Sequence, residues 1–338
     1  MDSLSQLALG ATLGVAVMGR RTAVWKAALW GGVCGTLPDL DALADFGDPV
    51  VNMVLHRADT HSLFWLTLLA PALAWGVARW HGETTLWRRW WLALWLALFT
   101  HPLLDWFTVY GTQLLRPFSD EPLGLGSLFI IDPLYTLPLL MGLGVALVMR
   151  SPRGLRWNQA GLLLSCAYIA WSAAAQQHVK DVAREALAGQ GIRADRVLVT
   201  PSAFNTVLWR IVAIDGDTAH EGFWGFLDAD RQVRFQPYPR GEALLQALDK
   251  GPAANDRLQR IRRFSGGFYR LQEVRGVLQV ADLRMGQYPS FVFEFAVARR
   301  ESGVLVPITP QDVGGRRDIG RGLAWLWSRV QGQRLPPP

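Results

Sequence analysis

Long apolar stretches dominate the first half of this chain, and short polar connections separate them. Apolar runs lie at about 4 to 19, 23 to 38, 62 to 80, 89 to 107, 128 to 149 and 157 to 178. A membrane-crossing helix needs roughly 20 apolar residues. The last four runs therefore read as spans, and the first two as short spans or a tilted hairpin. After about residue 179 the pattern changes. VKDVAREALAGQG (179–191) has the spacing of an amphipathic helix closed by glycine. RVLVT, WRIVAID, GFWGFLD, RQVRFQPY, FYRLQEV, GVLQVADLRM and SFVFEFAVAR are rich in β-branched and aromatic residues, and several are joined by Gly or Asp turns, the mark of strands. EALLQALDK and NDRLQRIRRF interrupt them as helices, and RGLAWLWSRV reads as an amphipathic closing helix on the domain or a membrane surface. The expected architecture is a polytopic α-helical membrane bundle of about six spans over residues 1–179, followed by a water-facing α+β domain over 180–338.

Charge adds an orientation. Nine of the 11 basic residues up to residue 179 fall in three connections: Arg20, Arg21 and Lys26; Arg79, Arg88 and Arg89; and Arg150, Arg153 and Arg156. Basic loops near span ends stay in the cytoplasm. The acidic residues gather at the other span ends, and in a bacterial cell that face is periplasmic. An even number of spans puts the C-terminal domain there too. The same region holds 11 Asp/Glu, so the chain's 34 basic and 28 acidic residues leave 23 against 17 for the second half and place its net charge of +6 there. So small an excess over a whole domain suits a solvated surface better than a nucleic-acid groove, and no nucleic-acid partner is expected. Cys34 and Cys166 both lie in apolar runs and form no disulfide framework.

Four polar clusters then converge on the acidic face. PDLDAL (38–43) ends the second run, HRADTHS (56–62) opens the third, HPLLD (101–105) ends the fourth, and IIDP (130–133) opens the fifth. Ionisable groups at membrane depth are costly and functional by default. His101 and Asp105 are four apart, so one helical face aims both at a single ion. His56 and His61 are five apart, which suits a loop entering a helix. Asp39 and Asp41 supply a ligand and a carboxylate that orients a histidine. Imidazoles plus carboxylates suit Zn²⁺, with Mn²⁺ or Fe²⁺ as alternatives. The candidate metal ligands are thus Asp39, Asp41, His56, His61, His101 and Asp105. Thr60, Tyr110, Arg116 and Asp132 are candidate neighbours of the substrate or the ligands. No nucleophile elbow, Cys/His pair or phosphate loop competes with this reading.

In order, LPDLDAL, HRADTHS and HPLLDWFTVYGTQLLRPFS resemble the motifs of the YdjM-like family of inner-membrane metal-dependent hydrolases over about residues 1 to 150. The resemblance implies a hydrolase and points to Asp39, Asp41, His56, His61, His101 and Asp105, with Arg57, Thr60, Tyr110, Thr112 and Ser119 beside them. Ala58 stands where many members carry glycine, and both histidines of the motif are in place.

The expected function is a membrane-bound hydrolase of a lipid or lipid-linked substrate, phosphoester cleavage ahead of carboxylester or amide. A metal-bound water, its pKa lowered from about 15.7 toward 7, is the nucleophile. Asp39 or Asp105, where not bound to metal, is the general base. Arg57 and Arg116 hold an anionic phosphate. The alternative is a metal-stabilised membrane scaffold or sensor whose C-terminal domain binds a partner.

Overall fold

A computed structural model describes residues 1–248, 254–315 and 319–338. The chain divides into two compact units. The first holds residues 1–44, 56–174 and 203–205. The second holds residues 45–55, 175–202 and 206–338.

The first unit is helical. It is built from α1 (Ser3–Met18), α2 (Val24–Thr36), α4 (Leu63–Trp80), α5 (Trp87–Trp106), α6 (Pro133–Met149) and the first part of α7 (Pro152–Gly189), while α3 (Pro49–Leu55) belongs to the second unit. Side-chain oxygens start three of these helices, as expected of good caps. Asp2 accepts from the Leu4 and Ser5 amides, Ser62 from Trp65, and Asp132 from Leu134. α1 and α2 approach at their glycines. A Cβ on Gly10 would fall 2.2 Å from the Gly31 carbonyl, and one on Gly35 would fall 2.5 Å from the Gln6 carbonyl. Small residues let backbones pack this closely. Ala11, Val15, Ala27, Leu66, Ala70, Trp90, Leu94 and Leu98 fill the core around that contact.

The six-span bundle is not what this unit forms. Among the described residues only Leu63–Trp80 is long and apolar enough to cross a membrane. Ser3–Met18 and Pro133–Met149 are apolar but shorter. The 16 residues of α1 rise roughly 24 Å, against a hydrocarbon thickness of about 30 Å. In α5 the apolar run is cut by Arg88 and Arg89 at one end and by His101 and Asp105 at the other. In α7 the apolar residues are interleaved with Asn158, Ser165, Ser172, Gln176 and Gln177. The placement of the C-terminal domain by an even number of spans loses its premise with them.

The second unit contains two antiparallel four-stranded sheets. One has the order β1-β2-β3-β4, from β1 (Arg196–Pro201), β2 (Leu208–Asp215), β3 (Thr218–Gly225) and β4 (Gln236–Pro239). The other has the order β10-β9-β6-β5, from β5 (Tyr269–Val274), β6 (Val277–Asp282), β9 (Glu294–Glu301) and β10 (Val304–Asp312). A short hairpin, β7 (Gly286–Gln287) and β8 (Ser290–Phe291), lies between β6 and β9 in the chain. β2 is buried along its length, because its two faces enter two cores. Trp209 and Ile211 pack with Val179, Val182 and Ala183 of α7, while Val212 and Ile214 pack with Ala281, Leu283 and Phe291. Helices α8 (Glu242–Leu248), α9 (Ala254–Phe264) and α10 (Ile319–Val330) join α3 and the end of α7 in this unit. The end of the helix expected over 242–250 lies outside the described residues. Asp48, just before α3, pairs with Arg257 of α9 at 2.8 Å.

Candidate metal centre

Local sequence sets up the site. α2 stops at Thr36, and the chain tightens into a 3-10 turn over Leu37–Leu43 that opens on Pro38 and carries Asp39 and Asp41. HRADTHS turns back on itself at Arg57, whose φ is +64°, and passes through a second 3-10 turn, Asp59–His61, before Ser62 caps α4. α5 continues through Pro102, so His101 and Asp105 sit one turn apart on the same face.

These turns bring one donor each from Asp39, His61, His101 and Asp105 within 4.8 Å of one another. The two imidazole Nε2 atoms are 3.1 Å apart. Asp39 Oδ1 lies 3.5 Å from His61 Nε2 and 3.4 Å from His101 Nε2. Asp105 Oδ2 lies 3.3 and 3.4 Å from the same two atoms. Donors placed tetrahedrally about 2.0–2.1 Å from an ion are about 3.3–3.4 Å from each other, so these five separations match a metal polyhedron. His61, His101 and Asp105 are fully buried, and Asp39, 17% exposed, is the solvent side of the group.

The surrounding hydrogen bonds fix the tautomers. His101 Nδ1 donates to the Gly35 carbonyl at 2.6 Å, which leaves its Nε2 as a lone pair in the neutral ring. Thr60 Oγ1 donates to Asp41 Oδ2 at 2.8 Å and accepts from His61 Nδ1 at 3.0 Å. With both rings neutral, two Nε2 lone pairs face each other at 3.1 Å, an arrangement that a metal ion or a proton between them relieves. Asp105 Oδ2 is buried with no hydrogen-bond partner, while Oδ1 is taken by Gln6 Nε2 at 3.2 Å and by the Met1 amino group. An orphaned carboxylate oxygen and opposed imidazole lone pairs fit a divalent ion. Burial alone raises the Asp39 carboxyl, but the His101 and His61 rings, when protonated at Nε2, donate to it and hold it well below the usual range. Asp41 is also held low against burial, chiefly by His56.

The other expected residues fall outside this group. His56 Nδ1 donates to Asp41 Oδ1 at 3.0 Å. Asp41 also accepts from the Arg57 amide at 2.9 Å, so it organises the HRADTHS turn. Arg57 is buried, with Nη2 3.4 Å from Asp105 Oδ1 and its guanidinium 4.9 Å above the Tyr110 ring. Arg116 lies 3.5 Å from Asp59, and its carbonyl accepts from Ser62 Oγ at 2.5 Å. Asp132 caps α6 and accepts from Tyr168 at 3.0 Å, away from the donors. Gln6, Thr108 and the Gly35 carbonyl are partners the motifs did not indicate. A glutamine inside an apolar helix carried a signal for the first; a backbone carbonyl carries none.

No solved structure matches this chain. It is similar to the uncharacterized protein YfhP of Bacillus subtilis (strain 168), 32% identical over 145 residues that cover 39% of this chain and 42% of that protein. The chain thus spans less than half the length of that relative. The profile of the YdjM inner membrane protein family matches residues 1–179, which hold the whole four-donor group, and the chain belongs to that family.

Proposed function

We propose that this protein is a metal-dependent hydrolase of the inner membrane, acting on a lipid or lipid-linked ester, with a phosphoester favoured. The observation that carries the reading is the pair of buried imidazoles whose Nε2 atoms oppose each other at 3.1 Å beside an unpartnered carboxylate oxygen. Asp39, His61, His101 and Asp105 would hold the ion, Zn²⁺ by their nitrogen and oxygen donors, with Mn²⁺ or Fe²⁺ as alternatives. Such an ion lowers the pKa of water and polarises the ester oxygen under attack. Asp39 and Asp105 both sit in the donor set, so another group must carry the proton. His56 is 27% exposed with Nδ1 fixed on Asp41, which leaves its second ring nitrogen for that work. A lipid substrate is supported by the family's membrane description and by α4, which starts two residues after His61. Leu40 and Leu43, on the turn that carries Asp39, are also exposed.

A structural ion is the second reading, favoured because four protein donors would close the shell of a tetrahedral ion. Metal analysis of the purified chain, followed by hydrolysis assays on membrane phospholipids with and without chelator, separates the two. The catalytic reading expects one bound ion, chelator-sensitive turnover, loss of both in His61→Ala and Asp105→Ala, and retention of the ion in His56→Ala. Full turnover by folded His61→Ala would refute it. An ion with no exchangeable ligand and no turnover would favour the structural role.

A further inference from the structure

Arg57 is placed for more than balancing a carboxylate. Only 6% of it is exposed, yet of its five N–H donors one meets Thr108 Oγ1 at 3.2 Å and Nε has no hydrogen-bond partner. Its Nη2 faces Asp105 Oδ1 at 3.4 Å, beyond good hydrogen-bond length. The backbone beneath it is clamped. Its N–H donates to Asp41 at 2.9 Å, its carbonyl accepts from the Gln113 amide at 3.0 Å, and φ is +64°. A non-glycine residue in that region persists only where its surroundings over-determine it. The Tyr110 ring under the guanidinium fixes the plane of the fork.

Charge completes the argument. Asp39 and Asp105 bring two negative charges to the donor group, which the two positive charges of a divalent ion match. The Asp41 carboxylate is already engaged by His56, Thr60 and the Arg57 amide. Arg57 and the Met1 amino group, both against Asp105 Oδ1, bring further positive charge beside the donor group, and Arg57 keeps an unused donor in a buried setting. We propose that Arg57 and the metal together form an oxyanion subsite for a phosphoryl group, an inference that rests on the metal-dependent reading above. A phosphoryl group has enough oxygens to meet an ion and a guanidinium fork at once, whereas a neutral carboxylic ester does not.

The test is titration calorimetry of the zinc-loaded full chain in detergent, with inorganic phosphate in one arm and dihexanoyl phosphatidic acid in the other. The wild-type protein binds at least one of them. Arg57→Gln binds at least about tenfold more weakly with its zinc content unchanged. No binding to zinc-loaded wild type, or an affinity within twofold in Arg57→Gln, overturns the subsite. Should Arg57→Gln not accumulate, Arg57→Lys keeps a positive charge beside Asp105. A loss of at least threefold is then expected, and unchanged affinity overturns the proposal. Tighter binding of the phosphatidic acid assigns the oxyanion to a lipid headgroup, and tighter binding of phosphate to a free anion. Phosphate binding by a protein that hydrolyses no ester keeps the subsite and removes the hydrolase reading.

Discussion

His101 shows how one side chain ties the site to pH. Burial alone lowers its pKa, but the Asp105 and Asp39 carboxylates more than offset this and raise it to about 9. Without metal the ring therefore carries a proton between the donors at neutral pH, and an ion must displace that proton to bind. Zinc binding at pH 7 should release close to one proton from this ring, read by calorimetry in buffers of different ionisation enthalpy, and should tighten as pH rises toward about 9. The stability of the metal-free protein should run the other way. A histidine with a raised folded pKa contributes stability that is complete below about 6.5 and lost as pH rises through about 9. A pH-independent zinc affinity would sink this account. The same residue scale shows what the motifs revealed. The i, i+4 spacing of His101 and Asp105 was sufficient to aim both at one ion, because a helix fixes that geometry. The spacing of His56 and His61 was not, because the left-handed turn at Arg57 lies between them and delivers His56 to Asp41 instead.

At the scale of elements, the α1–α2 contact positions the metal ligands from behind. Gly35, packed on α1, supplies the carbonyl that holds His101 Nδ1, and Gln6 of α1 donates to the His101 carbonyl at 3.1 Å. A methyl group on Gly10 would meet the Gly31 carbonyl at 2.2 Å and Gly35 Cα at 2.8 Å, both backbone atoms that only a shift of α2 can relieve. Gly10→Ala is thus expected to cost about 1–3 kcal/mol of stability and to weaken zinc binding at least tenfold. Gly76→Ala, in α4 with nothing within 4 Å of the new methyl, should do neither. Thermal melts and zinc titrations of the two variants check this; equal behaviour would place the α1–α2 contact outside the site's support. Hydrophobic runs marked where these helices lie but not what they do. Run length exaggerated the spans, because Trp-rich and Ser-interrupted stretches such as those in α5 and α7 look apolar without being uniformly so. The glycine spacing that brings α1 and α2 together is invisible to apolar periodicity. β10 went unread because Pro307 and Pro310 argue against a strand, and at the edge of its sheet both are tolerated.

The whole molecule joins two compact units with different chemistry, and the metal donors all belong to the first. The second is held by its own means, a β2 strand buried on both faces and ion pairs such as Arg210–Glu221 and Arg329–Asp228. An ion that binds only the folded first unit stabilises that unit by linkage, about 2.7 kcal/mol at a free concentration one hundred times its dissociation constant. For a unit of this size that is roughly 5–10 °C in melting temperature. Differential scanning calorimetry of the detergent-solubilised chain should therefore show two transitions, of which chelator lowers one and leaves the other in place. α7 is the element that argues against independence, since its residues enter both units. Were α7 to couple them fully, a single transition would move as a whole on chelation, and the ion would then support the β-rich unit as well as the helical one.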